Sequence, residues 1–229
     1  MNLKMKNKFY LSLLAIIGVV TFTGCGNSDE KFLSEGIVEF DAKVIDLSHP
    51  MATMAPKKMV LKFKNDKSIV EMDAVMGLFS TSFISNPSEH TLIQQVKLLN
   101  KKFALVQKMN DIKIENENYP LELIPTKETK IIAGYNCKKV HVKVKNETND
   151  EFDVFYTNDL NIKNSNFANP YSQIDGVLME YQMKKFGLEM RFTAKSVSKK
   201  EIDDDLFKLN KEYKITSQAE MNEIFLGMQ

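Results

Sequence analysis

The stretch YNCKKVHVKVKNETNDEFDVFY, residues 135–156, decides the fold class of this chain. Val140, Val142 and Val144 alternate with polar side chains, and a second alternating run follows residues 146–150. An apolar residue at every second position indicates a strand with one buried face, and Asn and Asp between two such runs favour a turn. The stretch therefore predicts two antiparallel strands that pack one face against a core.

The same period of two recurs on both sides of this hairpin. Short connections between the runs favour an antiparallel meander over βαβ units, which need longer crossovers. Helical patterns are confined to a short turn at 203–207 and to the capping box S-Q-A-E at 217–220. We therefore predict a mainly β fold with a few short helices, including one near the C-terminus. The further predicted strands are 37–46, 59–64, 68–75, 91–98, 102–107, 128–133, 177–182 and 186–196.

Residues 1–24 have the pattern of a secretory signal peptide. Three lysines precede an apolar run that is shorter than the roughly 20 apolar residues of a membrane-spanning helix. The run ends in F-T-G-C, which resembles the lipobox of bacterial lipoproteins and implies cleavage before Cys25 and acylation, for example with palmitate, of that residue. Because Gly26 and not Asp follows, we expect an outer-membrane anchor with a tether at 25–35. The face, periplasmic or cell-surface, stays open, and residues 36–229 are predicted to form one β-rich domain.

The composition argues against a nucleic-acid partner. The chain has 31 basic and 30 acidic side chains, and loss of residues 1–24 would leave 28 and 30, a formal charge of −2. The lysines are scattered among acids without a basic stripe, so we expect no nucleic-acid partner. Arg191 is the single arginine.

With Cys25 lipidated, Cys137 has no intramolecular partner, and it is interpreted either as a small buried side chain or as a reactive thiol.

We find no motif for catalysis or for a resident cofactor. The chain lacks H-E-x-x-H, G-x-S-x-G, a P-loop and G-x-G-x-x-G. His49, His90 and His141 lie in distant segments, and Cys137, although predicted to share a strand face with His141, is more than about 10 Å from it. The acids at 203–205 fit a helix start better than a calcium loop. We predict no enzyme, no cofactor and no metal site, while paired carboxylates for glycoside hydrolysis stay an open alternative.

Candidate ligand-binding side chains lie in two segments rich in Met, Phe and Leu. The second of these, 77–84, is predicted to be a loop. Thioethers and aromatic rings suit adaptable apolar surfaces, and thioethers near His49 would also suit Cu(I). A filled core is the third interpretation. The residues proposed to bind an apolar ligand are Met51, Met54, Met59, Leu78, Phe79 and Phe83.

Three short phrases carry a family resemblance. IAGYNCKKV at 132–140, FYTNDL at 155–160 and IDGVLME at 174–180 resemble an uncharacterised family of Bacteroidota envelope lipoproteins. That family is similar to the half-barrel superfamily of outer-membrane lipoprotein carriers. The resemblance implies a single strongly curved antiparallel sheet that wraps a helical plug and leaves an apolar cavity. It also implies a lipid-type ligand, and it brings no catalytic residues with it.

Two functions are compatible with these features. The first is an outer-membrane-anchored, non-catalytic binding module for an apolar or lipid-type ligand or a hydrophobic partner. The second is an accessory or scaffold subunit of an outer-membrane protein complex that holds no small molecule. A cavity lined by Met, Phe and Leu in the concave face of the sheet would favour the first, and a filled core with an exposed apolar loop would favour the second.

Overall fold

The computed structural model of the protein describes residues 33–74, 77–145, 150–185 and 187–227. Within these ranges twelve strands form one sheet, accompanied by two α-helices and three short 3-10 turns. The elements are β1 (Glu35–Val44), β2 (Lys58–Lys64), β3 (Lys67–Ala74), β4 (Phe79–Asn86), β5 (Thr91–Leu98), β6 (Lys101–Lys108), α1 (Met109–Glu117), β7 (Leu121–Ile132), β8 (Tyr135–Val144), β9 (Glu151–Thr157), β10 (Val177–Lys185), β11 (Leu188–Ser198), β12 (Lys214–Ile215) and α2 (Gln218–Leu226), with 3-10 turns at Ala52–Met54, Pro87–Glu89 and Asp204–Phe207.

The sheet consists of two antiparallel meanders joined edge to edge. Strands β1 to β6 form the first meander and β7 to β11 the second, and β1 pairs with β11 to join them. The strand order is therefore β12-β6-β5-β4-β3-β2-β1-β11-β10-β9-β8-β7. The short β12 is the exception, because it pairs with β6 in parallel. The sheet is not closed, since β7 and β12 are its two edges, and the predicted mainly β antiparallel class is confirmed.

Strong curvature brings distant strands together. The Nζ atom of Lys185 on β10 lies 5.1 Å from the centre of the Phe83 ring on β4. These strands are five steps apart in the sheet order, and a flat sheet would separate them by about 24 Å. Two side chains cannot span that distance, so the sheet must bend into a trough. The predicted strongly curved half-barrel is confirmed.

An irregular segment fills part of the concave face. Residues 158–176, here called the inner loop, connect β9 to β10 and place Leu160, Ile162, Tyr171 and Ile174 in the main core. This core extends over the inner faces of β7 to β11, β1 and β2. The resemblance implied a helical plug, but the inner loop contains no helix. Helix α2 covers the opposite end of the concave face through Met221 and Phe225.

Among the longer elements, one strand and one helix were missed by the sequence pattern. The segment predicted to be a loop contains β4, which pairs with β3 and β5 along its length. Both of its faces are covered, since Phe83 faces the trough and Ile84 packs under Phe207 on the outer face, so polar and apolar residues do not alternate. Helix α1 was missed because it is mostly polar and buries only Ile112.

Other local predictions are confirmed at atomic detail. Ser217 Oγ accepts a hydrogen bond from the Glu220 amide at 3.2 Å, and the Glu220 carboxylate accepts one from the Ser217 amide at 3.0 Å, as the capping box requires. The predicted turn at 203–207 is the 3-10 turn Asp204–Phe207. Asp203 caps it by accepting a hydrogen bond from the Asp205 amide at 2.9 Å.

The predicted signal peptide and Cys25 lie outside the described residues. Cleavage, acylation and outer-membrane anchoring therefore stay predictions. Across the described ranges, no helix combines the length and the apolar character needed to cross a membrane.

Candidate ligand-binding cavity

The inner loop and α2 leave a gap between them on the concave face. This gap is a cavity of about 470 Å³, within the range of small-molecule sites. Side chains from β1 to β5, β10 and β11 form its floor and sides, and residues of the inner loop and Phe225 of α2 form its ends. Met, Phe, Leu, Val and Ile make up most of the lining.

All six residues proposed from the sequence lie in this lining. Met51 and Met59 are buried in its wall, whereas Met54 and Leu78 are 37% and 51% exposed at its mouth. The remaining two, Phe79 and Phe83, project from β4 into the same space, and Phe79 packs edge-on against the ring of Phe225 at 6.1 Å. Residues from both apolar segments therefore line one cavity, a proximity that the sequence alone did not predict.

Most of the cavity lining was not anticipated. Tyr181 and Met183 of β10 and Met190 and Phe192 of β11 face the six residues across the trough. Their alternation was visible in the sequence and predicted strands correctly. No local pattern indicated that these strands would face β4, because that depends on the curvature and on the pairing of β1 with β11.

The inner loop is fixed by buried polar contacts. The Tyr171 hydroxyl donates a hydrogen bond to the Gln182 carbonyl oxygen of β10, and its ring packs edge-on against Tyr181 at 6.1 Å. The Asn166 amide donates to the carbonyl oxygens of Ile174 and Gly176 at 2.9 and 2.8 Å. These contacts hold the wall that the loop contributes to the cavity.

A charged group stands where α1 meets the trough. Lys185 of β10 lines the cavity and forms an ion pair with Glu115 of α1. Glu115 also accepts a hydrogen bond from the Gln107 amide at 2.7 Å. Burial would raise the pKa of Glu115, but the charge of Lys185 and these hydrogen bonds outweigh it, so the pKa lies below its ordinary value.

The opposite face of β7 to β11 carries a charged network. Glu180 is buried and pairs with Lys130 at 2.8 Å and with the Arg191 guanidinium. Further out, His141 bonds Asp153 at 3.0 Å and Glu151 at 3.2 Å, which raises the pKa of the imidazole. This histidine is therefore a half-buried member of the charged network.

The remaining chemical candidates have structural roles. His49 Nδ1 accepts a hydrogen bond from the Met51 amide at 3.2 Å, so the ring completes a turn. The described ranges contain no cluster of three or more His, Cys, Asp or Glu side chains that could hold a metal ion. Cys137 is buried, which raises the pKa of its thiol to about 11. In β8, Cys137 is fully buried, whereas His141 is only partly buried.

Comparison with protein families gives one match. The model for the N-terminal domain of N-glycanases, "N-glycanase peptide, N-terminal domain", covers residues 50–218, well over half of the chain. The chain belongs to this family. The match contains the lining strands β2 to β5, β10 and β11, whereas the lining strand β1 precedes it. A search of curated proteins found no match.

The family match corrects the predicted relationship. The resemblance to outer-membrane lipoprotein carriers is wrong, because the matching family is a different one. The phrases that suggested it encode local geometry. Ala133 and Gly134, with φ of 49° and 84°, form the tight turn between β7 and β8, and Gly176 lies where an added Cβ would come within 2.7 Å of the Thr157 carbonyl oxygen. Such turns occur in unrelated antiparallel sheets. The match connects the chain with an enzyme family without locating a catalytic residue in it.

Proposed function

We propose that the protein is a non-catalytic binding module that holds an apolar ligand in the cavity of its curved sheet. The observation that supports this is a cavity of about 470 Å³ that all six residues proposed from the sequence line together. They are Met51, Met54, Met59, Leu78, Phe79 and Phe83. A core without a ligand role would be packed to the density of an organic crystal. Here the inner loop fills one part of the trough and leaves the other part open.

The energetics favour a chain-like apolar ligand. Each methylene group removed from water contributes about 0.8 kcal/mol, and the cost of association has to be subtracted. Ten buried methylene groups would therefore contribute about 8 kcal/mol before that cost. With a cost of association of about 4 kcal/mol, about 4 kcal/mol remains. This corresponds to an affinity in the millimolar range, in which a binding module releases its ligand readily.

Filling the cavity should abolish binding. Val70 lies on β3 in the cavity floor, and Val70→Trp would occupy the space with an apolar side chain that adds no charge. We expect the affinity for dansyl-labelled undecanoate, measured by fluorescence titration, to fall at least about tenfold. Ile131→Trp is the matched control, because Ile131 is 66% exposed on β7 outside the lining.

A second pair of variants covers the case in which Val70→Trp unfolds. Leu78→Asp places a charge at the exposed mouth, and Leu47→Asp places one at a residue that is 80% exposed elsewhere. Binding should fall for Leu78→Asp alone. Native mass spectrometry of the purified wild-type protein completes the test. A clean apo mass together with no probe binding would reject the proposal in favour of the scaffold alternative.

The family name raises a second candidate, contact with a glycan. Beside Gly176 a smaller recess of about 370 Å³ is lined by Tyr156, Asn158, Gln173 and Asp175 among others. An aromatic ring next to amide and carboxylate groups offers both an apolar face and hydrogen-bond partners. The recess is partly occupied, because Lys138 Nζ donates to Asn158 Oδ1 at 2.8 Å.

Titration with N,N′-diacetylchitobiose, the core disaccharide of N-glycans, separates this candidate from the first. If the recess binds glycan, amide NMR signals around it should shift and those of the cavity should not. The variants Gln173→Ala and Asp175→Asn should then weaken the shifts. An unchanged spectrum at millimolar sugar would remove the glycan candidate and leave the apolar cavity unaffected.

A further inference from the structure

One ionic side chain faces the apolar cavity. Among the described residues that line it, Lys185 is the sole Lys, Arg, His, Asp or Glu. The other polar lining groups are neutral hydroxyls and amides, for example Ser68, Ser85 and Asn169. An ammonium group beside apolar walls is costly unless an anion accompanies it. A wholly apolar ligand would leave this group without any use in recognition.

We propose that the ligand is a single-chain amphiphile with an anionic head group, of the fatty-acid type, whose head binds Lys185 while its chain lies along the Met and Phe walls. This inference rests on the proposed function and adds the charge and shape of the ligand to it. A cationic amphiphile would meet a like charge at the same place, and a neutral one would gain only from its chain.

The geometry provides a path for the chain. Lys185 Nζ lies 5.1 Å from the ring centre of Phe83, so the cationic end of the cavity adjoins β4. From Phe83 the lining continues along the same strand through Thr81 to Phe79, which contacts Phe225 at the far end. Four residues of a strand extend over about 13 Å. A linear acyl chain can follow such an extended path.

In the structure without ligand, the Glu115 carboxylate occupies the position beside Lys185 that the ligand head group would take. Its carboxylate pairs with Lys185, although Glu115 belongs to α1 and does not line the cavity. When a ligand carboxylate takes its place, Glu115 keeps its hydrogen bond from Gln107. Glu115 would therefore be a competitor that sets the affinity for the anionic head. Its removal should strengthen the binding of an anion.

The test compares three amphiphiles that share one chain length: dodecanoate, dodecanol and dodecyltrimethylammonium. Each displaces dansyl-labelled undecanoate from the purified protein below its micelle concentration. We expect dodecanoate to bind about ten- to a hundredfold more tightly than dodecanol, the factor typical of one charge-assisted hydrogen bond. The cation should bind more weakly than the alcohol.

Two lysine variants decide whether Lys185 is responsible. In Lys185→Met the preference for dodecanoate over dodecanol should disappear while the affinity for dodecanol stays within about twofold. Lys184→Met is the matched control, because Lys184 is the exposed neighbour, lies outside the lining and removes the same charge. It should leave the preference intact. Glu115→Gln should increase the affinity for dodecanoate several-fold and leave that for dodecanol unchanged.

Each outcome has a distinct meaning. Equal binding of dodecanoate and dodecanol to the wild type, or a preference that survives in Lys185→Met, would overturn the anionic-head proposal while leaving the apolar-ligand function standing. Failure of all three amphiphiles to displace the probe would reject both. Binding of an extended apolar peptide in the absence of amphiphile binding would point to a protein ligand and would likewise reject the fatty-acid assignment.

Discussion

Replacing Tyr171 with Ala is expected to lower the free energy of unfolding by about 3 to 5 kcal/mol, the usual cost of removing a large aromatic side chain from a core. Tyr171 is completely buried, it packs edge-on against Tyr181, and its hydroxyl bonds the backbone of β10 at Gln182. Urea unfolding followed by circular dichroism measures the change. Tyr171→Phe is the matched control and should cost only about 1 kcal/mol, because it removes the hydrogen bond and keeps the ring.

The same substitution has a consequence for the cavity. Tyr171 fixes the inner loop to the strand that carries Tyr181, and Tyr181 and the loop both line the cavity. Loss of the anchor should therefore weaken the binding of dansyl-labelled undecanoate even at temperatures where Tyr171→Ala is folded. A loss of stability below about 1 kcal/mol for Tyr171→Ala would show that the inner loop is not held by this side chain.

Removing Arg191 is expected to have the second large effect. The variant Arg191→Met leaves the buried carboxylate of Glu180 with Lys130 as its remaining cationic partner, and Lys130 is half exposed. Breaking a buried ion pair costs about 3 to 5 kcal/mol. Because the arginine is itself partly exposed, we expect about 2 to 3 kcal/mol, measured by urea unfolding at pH 7.

The double variant Glu180→Leu/Arg191→Met provides the control. It removes the uncompensated charge, so most of the lost stability should return. If the double variant is less stable than Arg191→Met by a further 2 kcal/mol or more, the charge of Glu180 would not be the cause.

The pH dependence of stability should change in a defined direction. Burial raises the pKa of Glu180, but hydrogen bonds and charges from Lys130 and Arg191 more than compensate, so its pKa in the folded state lies below the ordinary value of 4.5. A carboxyl group of this kind stabilises the fold above pH 4.5, and the contribution is lost as the pH falls through the folded pKa. In Arg191→Met the folded pKa rises towards the unfolded one. Its stability should therefore decrease less steeply between pH 5 and pH 3 than that of the wild type, as acid titrations monitored by fluorescence or circular dichroism would show.

Local patterns in the chain were sufficient for most strands, for the turn at 203–207 and for the start of the C-terminal helix. The alternation of Val140, Val142 and Val144 reports one buried face, and it needs no information from distant residues. The same holds for the capping box at Ser217. Local patterns failed at β4, which is covered on both faces, and at α1, which buries a single isoleucine, because neither has the amphipathic period of its structure.

For the cavity, too, the sequence predicted some of the lining residues and missed others. The Met, Phe and Leu composition of two segments indicated an apolar surface, and all six named side chains lie on it. Lys185 was not anticipated, since nothing within β10 marks it as different from the other lysines of the chain.

The sequence by itself determined a mainly antiparallel chain of short strands, because period and turn chemistry act between near neighbours. Only the tertiary structure decided that β1 pairs with β11, that the sheet bends until Lys185 reaches Phe83, and that the inner loop fills one part of the trough. Those features depend on pairings between strands more than a hundred residues apart. Their free energy comes from a shared core and is not encoded in any single segment.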